Sequence, residues 1–294
     1  MRIIPFLMLM FFAFNEIKAQ SSDIANVEYT YFPQSSSDNS FRRFTALFNF
    51  PIAFGKEGSY LVPGIEYENI NFKYKDDAPF PKLGEMDRFQ SITLSLGYTW
   101  EVKNDWRVAA WAGMMAASNF ELGKIVNDDL LFTGAFGFIK DRNEEEVAKP
   151  WRLILGVYYS TTSGRPFPLP IVNYYREFAP DWSFSLGVPK SNIKYYLSEK
   201  SELQAFVTLD GFYANIQENR LLDNSDRMAE NISMTIVLGG LGYEYNFTDH
   251  LVYYLYAGHT IMNDIRLRDG EKEDVYTIND VNTFYGRTGL KIKI

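Results

Sequence analysis

Histidines limit the acid–base chemistry open to this chain, because only two, His250 and His259, occur among its 294 residues. Acyl transfer at a serine needs a histidine base and an orienting carboxylate or amide. His259 lies within an expected strand, with Thr260 and Asn263 beyond it, whereas His250 follows Asp249 at an expected turn. The sequence therefore predicts no catalytic residue. A lipid-modifying enzyme that pairs His259 with a serine of a neighbouring strand remains an alternative.

Composition also constrains metal and cofactor chemistry. The chain has no cysteine, which excludes a thiolate metal site, a disulfide framework and a lipid attached to an N-terminal cysteine. Two distant histidines make a poor zinc site, and no glycine-rich loop opens a helix to hold phosphate. With a net charge of -8 and no basic block, the chain lacks the charge pattern of a nucleic-acid-binding protein. We predict no metal, no cofactor and no nucleic-acid partner.

Charged residues on one face of the expected strands are the stronger chemical lead. In a closed barrel, strand alternation would turn this face toward the lumen. Such groups either pair and fill the interior or line a water-filled passage, and the sequence leaves both possibilities open. Because closure places the first strand beside the last, we expect Glu28 near Arg287 or Lys291. The predicted lumen-lining residues are Glu28, Glu66, Glu68, Glu101, Asp210, Glu244, Arg287 and Lys291, with Lys293 on the same face.

The strands that must position these charges are clearest at residues 91–106. Over residues 91–102, apolar side chains occupy the even positions and small or polar ones the odd positions, which is the period of a strand with one apolar face. Trp100 and Trp106 flank a polar break at residues 103–105, a pattern typical of the aromatic belt at a membrane interface. Trp111 is the exception, because it lies away from the expected turns. This hairpin predicts one unit of a transmembrane antiparallel up-and-down β-barrel whose even face here contacts lipid.

Strand signals recur along the whole chain, and fourteen are expected, or twelve if the segment at residues 170–198 supplies fewer wall strands. Short connections expected in the periplasm alternate with longer ones expected outside the cell, as in bacterial barrels. Two connections break this alternation: residues 142–149 are too long, and the break at Pro189 is too short. The predicted strands cover residues 24–33, 41–54, 59–74, 87–102, 105–120, 129–141, 150–163, 170–177, 181–188, 191–199, 202–216, 230–247, 250–266 and 280–293.

Two of the later strands have irregular patterns. The apolar face is even-numbered over residues 232–238 and odd-numbered over residues 241–247, with Gly239 and Gly240 between them. The change of phase predicts a β-bulge at the two glycines. Residues 251–262 are apolar on both faces, so this strand is expected to contact a plug, a neighbouring subunit or a bulky lumen residue.

The first residues predict export. Arg2 precedes an apolar core at residues 3–14 and a polar segment that ends at Ala19, the arrangement of a cleaved signal peptide. An apolar run of about a dozen residues is shorter than the roughly 20 that a spanning helix needs. Aromatic residues make up 17% of the chain while its mean hydropathy is -0.21, a mixture that a barrel with alternating lipid-facing and water-facing residues produces. We expect a signal peptide at residues 1–19 and one barrel domain at residues 20–294.

Several short motifs, in their order along the chain, are similar to an uncharacterised outer-membrane β-barrel family from Bacteroidetes-type Gram-negative bacteria. The resemblance covers most of the mature chain and implies a barrel in the outer membrane, without an established activity or catalytic residue. The chain differs from better-known barrels in ending with Ile294 and not with Phe or Tyr. The motifs are Lys18-Ala19-Gln20, residues 61–67 (Leu-Val-Pro-Gly-Ile-Glu-Tyr), Ser163-Gly164-x-Pro166 leading to Pro168-Leu169-Pro170, Gly187-Val188-Pro189-Lys190, and Gly289-Leu290.

Together these patterns predict an outer-membrane barrel that is a passive channel or a binding protein for small solutes. Its expected partners are outer-membrane lipid and such solutes, while its oligomeric state stays open. A structural or interaction barrel with a filled lumen is the alternative from another class. Eight strands give an interior filled by side chains and sixteen or more give an open channel, so fourteen strands lie between the two cases.

Overall fold

The computed structural model describes residues 23–33, 40–73, 86–142, 149–161, 168–222 and 226–293. Within these ranges the one helix is a 3-10 turn at Asn127–Asp129. In this part of the chain no helix has the length and apolarity needed to cross a membrane. The strands are β1 (Asp23–Pro33), β2 (Ser40–Asn49), β3 (Ile52–Ala53), β4 (Tyr60–Lys73), β5 (Arg88–Glu101), β6 (Trp106–Ser118), β7 (Leu130–Arg142), β8 (Trp151–Ser160), β9 (Leu169–Ala179), β10 (Trp182–Gly187), β11 (Lys190–Ser198), β12 (Ser201–Leu221), β13 (Met228–Asn246), β14 (Leu251–Arg268), β15 (Asp274–Asn279) and β16 (Phe284–Lys293).

These strands close into a single antiparallel barrel. Each wall strand pairs with its neighbours along the chain, and β16 pairs with both β14 and β1, so the first and last strands meet. The short strands β3 and β15 add to β4 and β14 without entering the wall. The wall therefore has fourteen strands, which confirms the predicted count, and the alternative of twelve is wrong.

Alternation along the strands separates an apolar outer face from the interior. In β5 the outward side chains of Ile92, Leu94 and Leu96 are 43%, 52% and 51% exposed. Thr93 and Ser95, between them, line an interior cavity. Since successive strand residues point to opposite faces, the periodicity of this one strand sets both surfaces of the wall.

One of the two connections expected to break the alternation of short and long connections lies within the described ranges. β10 and β11 are joined through residues 188–189 alone, so this connection is as short as the sequence predicted. The expected long connection falls on residues 143–148, which lie outside the described ranges, as do the expected signal peptide and the motif at residues 163–166. Trp111, the exception to the expected belt, faces the interior cavity.

The barrel wall has very unequal heights. β10 has 6 residues, whereas β12 has 21. Because β11 begins only at Lys190, opposite Thr208, β12 continues beyond its neighbour. It then reaches the opposite wall, where Asn215 pairs with Ser118 of β6. The upper parts of β12 and β13, residues 210–221 and 228–236, thus form a hairpin across the mouth of the barrel, which we call the mouth hairpin.

An apolar cluster lies beneath the mouth hairpin. Rings on neighbouring wall strands follow one another: the Phe32 and Phe41 centroids are 5.3 Å apart, and the Phe41 and Phe72 centroids 5.5 Å. Phe72 contacts Phe89 at 6.1 Å, and Phe89 contacts Phe212 of the mouth hairpin at 6.5 Å. These rings are buried, so apolar contacts hold the hairpin against β1, β2, β4 and β5.

The predicted β-bulge at Gly239 and Gly240 is wrong. β13 keeps one continuous register with β12 across both glycines. The irregularity lies in β14, where Ile261 is the extra residue opposite Val237 and Leu238. The apolar phase changes because the even-numbered side chains enter the apolar cluster near the mouth and a polar interior farther down, where Glu244 is buried.

Candidate functional site

An ion-pair cluster crosses the middle of the barrel. Arg43 on β2 donates two hydrogen bonds to Asp210 on β12, with nitrogen–oxygen distances of 2.8 and 2.6 Å. Because β2 and β12 are not neighbours in the wall, this contact spans the lumen. Arg287 also binds Asp210, at 2.5 Å, and its Nε lies 3.1 Å from Oε1 of Glu28. Glu68 lies 3.8 Å from Arg43, and these five residues form what we call the central cluster.

The geometry of the central cluster follows from strand alternation. Thr30 of β1 pairs in register with Arg43 on one side and Arg287 on the other, so both arginines point inward beside it. The side chains of Arg43 and Asp210 are 6% and 9% exposed. A planar guanidinium with two parallel hydrogen bonds is the strong geometry for a charge pair removed from water.

A second cluster surrounds Glu244, nearer the end of the barrel where β1 begins and β16 ends. Its carboxylate accepts hydrogen bonds from Gln204 at 2.5 Å and from the Tyr256 hydroxyl at 2.6 Å. Lys291 lies 3.0 Å from Glu244, and Lys194 lies 3.6 Å from it. We call this group, with Glu202, the basal cluster, since Glu202 lies 2.6 Å from Lys194.

Gly242 leaves space for Tyr256, one of the hydrogen-bond donors to Glu244. The ring of Tyr256 lies over Gly242, where a Cβ atom would come within 2.5 Å of it. Tyr254 also points inward, and its hydroxyl donates to Glu28 at 2.8 Å. The Tyr256 ring also lies 5.3 Å from the buried ring of Phe206. The strand that is apolar on both faces therefore contacts a bulky lumen residue, one of the three expectations for it.

A cavity of about 620 Å³ lies on the other side of the central cluster, against β4 to β8. Glu66 faces it and forms no ion pair within the described ranges. Its lining combines carboxylates, hydroxyls and aromatic rings. The lining residues are Leu47, Asn49, Glu66, Glu68, Thr93, Ser95, Trp111, Met115, Thr133, Tyr158, Gly211, Phe212, Tyr213, Ser233, Met234, Thr235 and Arg268.

Polar contacts fasten the tip of the mouth hairpin to the opposite wall. The side chain of Gln217, 2% exposed, accepts a hydrogen bond from the Leu122 N–H at 2.8 Å and donates to Asp129 at 2.7 Å. Asn215 donates to the same carboxylate at 2.9 Å, and its carbonyl accepts from Ser118 at 3.1 Å. These directional contacts fix where the hairpin crosses the mouth.

The predicted lumen residues divide among these groups. Glu28, Glu68, Asp210 and Arg287 belong to the central cluster, Glu244 and Lys291 to the basal cluster, and Glu66 to the cavity wall. Glu101 differs, because its side chain is 58% exposed at the end of β5, where it contacts Arg107 at 2.6 Å. Lys293 donates to Asn246 at 3.2 Å. Of the two partners expected for Glu28, Arg287 is the one in contact.

Sequence reasoning missed several residues of the two clusters. Arg43 has the clearest signal, because it alternates with Phe41 and Thr45 on the inward face of β2. Lys194, Glu202 and Gln204 lie on strands whose faces the sequence did not resolve. Their pairing depends on which strands meet across the lumen, which no local pattern reports.

The two histidines lie away from both clusters. His259 faces outward, with its ring 5.3 Å from Phe284, a residue that is 69% exposed. His250 lies at the turn before β14, where its Nδ1 is 3.1 Å from the Lys293 carbonyl. In the described part of the chain, no group of three or more His, Cys, Asp or Glu residues is placed to hold a metal ion.

Charged residues stabilise the part of β14 that extends beyond the wall and pairs with β15. Although partial burial opposes it, hydrogen bonds from Arg266 and Arg268 lower the pKa of Asp274 below its ordinary value. Their nitrogen–oxygen distances are 2.8 and 2.9 Å. Burial lowers the pKa of Lys272, whose ammonium lies 5.0 Å from the ring centroid of Tyr213. This segment thus contacts the mouth hairpin.

Comparison with known proteins places the chain in a family. Residues 15–293 match the family DUF6268, described as a domain of unknown function. The chain belongs to this family. No curated protein matches the chain by sequence.

Solved barrels resemble the chain only in outline. The NanC porin has a TM-score of 0.39 and 9% identity, covering 92% of this chain and 100% of that chain. The KdgM porin has a TM-score of 0.36 and 7% identity, covering 92% and 99%. LpxR from Salmonella typhimurium has a TM-score of 0.39 and 6% identity, covering 92% and 100%. These similarities are too low to argue function, and the barrel fold follows from the strand pairing itself.

Proposed function

We propose that this protein is an outer-membrane barrel of a Gram-negative bacterium that admits small solutes into its interior, with the mouth hairpin closing the extracellular end. Residues 1–19 would direct export and be removed. The observation that carries the proposal is the cavity of about 620 Å³ beside the central cluster. That volume lies within the roughly 300–1,000 Å³ typical of small-molecule sites. The proposed role is binding and passage, without catalysis.

The outer surface supports a membrane location. A closed barrel leaves no unpaired sheet edge, which is the condition for crossing a bilayer with strands. Large apolar side chains are exposed on the outside, among them Leu94, Leu241 and Phe284 at 52%, 70% and 69%. Exposed apolar surface of this extent suits lipid and is unusual for a monomeric protein in water.

The interior supports controlled and not free passage. The Arg43–Asp210 contact divides the lumen, and the mouth hairpin covers the extracellular end through Asn215 and Gln217. A solute that entered the cavity from outside would need the hairpin tip to separate from β6. Hydrogen bonds of Asn215 and Gln217 to residues 118–129 and the buried Arg220–Glu121 ion pair fasten the tip. Each hydrogen bond contributes about 0.5–1.5 kcal/mol. Because none of these contacts joins neighbouring strands of the wall, the tip can separate while the wall strands stay paired.

A structural barrel with a filled lumen is the second candidate, and the ion pairs favour it. In that case the central and basal clusters would serve only to pack the interior. The two candidates differ in one measurable respect: a filled barrel has no solute path that movement of the mouth hairpin controls.

A disulfide lock tests the proposal, because the chain has no cysteine of its own. The variant Ser118→Cys/Asn215→Cys joins the paired positions of β6 and β12. In planar bilayers we expect the reduced variant to conduct in discrete steps and the oxidised variant to be silent. The control Leu94→Cys/Met114→Cys joins strands that are already neighbours in the wall, so its conductance should not depend on oxidation.

Two results would overturn the proposal. Equal conductance of the oxidised and reduced Ser118→Cys/Asn215→Cys variant would mean that the hairpin tip does not control passage. Silence of the wild type and both variants in every redox state would favour the filled structural barrel.

A further inference from the structure

From the charges and rings around the cavity, we infer that it takes a small organic cation, such as a protonated or quaternary amine with apolar substituents. The inference rests on the proposed function, because it names the class of solute for the same cavity. It follows from the charge balance, from the aromatic lining and from the position of Glu66.

The charge balance beside the cavity is negative. Among the described residues, the carboxylates of Glu28, Glu68 and Asp210 form ion pairs with two cations, Arg43 and Arg287. Glu66 adds a further carboxylate on the cavity wall, so four carboxylates face two guanidinium groups. Charges of one sign in excess are costly in an interior of low dielectric constant. A cationic solute in the cavity restores the balance.

Glu66 is the carboxylate best placed to meet that solute. It lies between Leu47 and Thr93 in the registers of β2, β4 and β5, on the inward face. Glu68, one step along the same face, already contacts Arg43 and accepts weak hydrogen bonds at 3.4 Å from Thr45 and Ser91. Glu66 has no such ion pair in the described ranges. Its charge therefore remains available to a ligand.

Other cations near the cavity do not compensate this charge. Arg268 lines the far end, but its Nε lies 2.9 Å from Asp274. Beside the basal cluster, the ammonium of Lys190 lies 4.8 Å from the ring centroid of Tyr256. With Lys190 the basal side has the opposite balance, since three lysines accompany Glu202 and Glu244. No basal-cluster residue lines the cavity. The interior is thus divided into a cavity side that attracts cations and a basal side that repels them.

Aromatic rings complete the site for an organic cation. Trp111 and Tyr158 line the cavity from β6 and β8. The indole lies over Gly113, where a Cβ atom would come within 3.1 Å of it. The missing side chain therefore lets the ring lie against the wall. Trp is the best aromatic partner for a cation within about 6 Å of the ring centroid, and ammonium groups with methyl substituents use this contact together with apolar packing.

A pair of isosteric probes tests the inference on the purified mature protein in detergent. Choline and 3,3-dimethylbutan-1-ol have nearly the same shape, but only choline carries a positive charge. By isothermal titration calorimetry we expect choline to bind and the neutral alcohol to bind at least tenfold more weakly. Glu66→Gln should weaken choline binding roughly tenfold to a hundredfold, the range for loss of a charged contact. Trp111→Leu should weaken it about fivefold.

The control is Glu101→Gln, because Glu101 is an inward-face carboxylate at the exposed rim, away from the cavity. It should leave choline affinity unchanged. A shift between boiled and unboiled samples on detergent gels checks that each variant is folded.

The possible failures are distinguishable. Equal affinities for choline and the alcohol, or unchanged choline binding by folded Glu66→Gln, would overturn the cation inference. If the disulfide lock still controlled conductance in that case, the proposed function would stand. Loss of choline binding in Glu101→Gln would also overturn the inference, because it would place the cation at the rim.

Discussion

The Arg43–Asp210 contact allows a direct test of whether the barrel interior is dry. The change is Asp210→Asn, which keeps the size of the side chain but removes its charge. Asp210 accepts three charge-assisted hydrogen bonds, two from Arg43 and one from Arg287. Asparagine keeps only one acceptor oxygen, and its amide NH2 group cannot accept, so the variant loses at least one of these bonds as well as the negative charge. Arg43 would then face only Glu68, at 3.8 Å.

The size of the effect follows from burial. Breaking a buried ion pair by removing one partner destabilises a protein by about 3–5 kcal/mol, because the remaining charge stays desolvated. Both arginines keep a second carboxylate nearby, so we expect about 3 kcal/mol for Asp210→Asn, the lower end of that range. Glu101→Gln is a matched control. Glu101 contacts Arg107 at the same 2.6 Å, but its side chain is 58% exposed. Exposed pairs contribute about 0–1 kcal/mol.

The measurement is the free energy of unfolding in urea from large unilamellar vesicles, followed by tryptophan fluorescence under conditions where unfolding is reversible. A cost for Asp210→Asn no larger than that for Glu101→Gln would refute the reasoning, because it would mean that water already solvates the central cluster. The double variant Arg43→Met/Asp210→Leu should recover part of the lost stability, since it leaves neither partner of the pair behind.

Two further predictions concern the other charge contacts. Removing the charges of Glu28 and Arg287 together should reduce the free energy of unfolding by less than the sum of the two single changes, because the two side chains are in contact. The effects of removing the charges of Glu28 and Lys291 should be nearly additive, because Lys291 contacts Glu244 instead. Equal coupling energies for the two pairs, measured by unfolding from vesicles, would contradict this. The lowered pKa of Asp274 means that its contribution to stability is complete above its ordinary pKa and is lost as the pH falls through the lowered value. Hydrogen exchange of β15 should therefore accelerate in acid for the wild type but show no such step for Asp274→Asn, and an identical step in both would be contrary evidence.

The strands of the wall are predictable from the sequence because strand alternation and turn residues are local features of the chain. Residues 91–102 alternate strictly because one face of β5 is apolar and the other polar, and this alternation is visible in any window of a few residues. Turn residues then separate one strand from the next. Local patterns therefore predict the fourteen strands and the short break at Pro189. The meeting of the first and last strands follows once the sheet is expected to close into a barrel.

Local patterns do not predict strand faces correctly where the barrel interior changes from polar to apolar. At residues 232–238 the apolar side chains of β13 point inward, while in β5 they point outward. The sequence cannot distinguish these cases, because an apolar residue is stable against either lipid or another apolar cluster. The shift of apolar phase near Gly239 therefore resembles a bulge, although the backbone register is continuous there.

The sequence by itself determined the barrel, its lipid-facing surface and the inward direction of most of the charged residues, since all three depend on period-two alternation. Only the tertiary structure decided which charges meet, because Arg43 and Asp210 are 167 residues apart and lie on strands that are not neighbours. It also decided that β12 leaves the wall, because this depends on β11 beginning only at Lys190. Contacts across the lumen and differences in strand height are properties of the closed barrel, so no single strand records them.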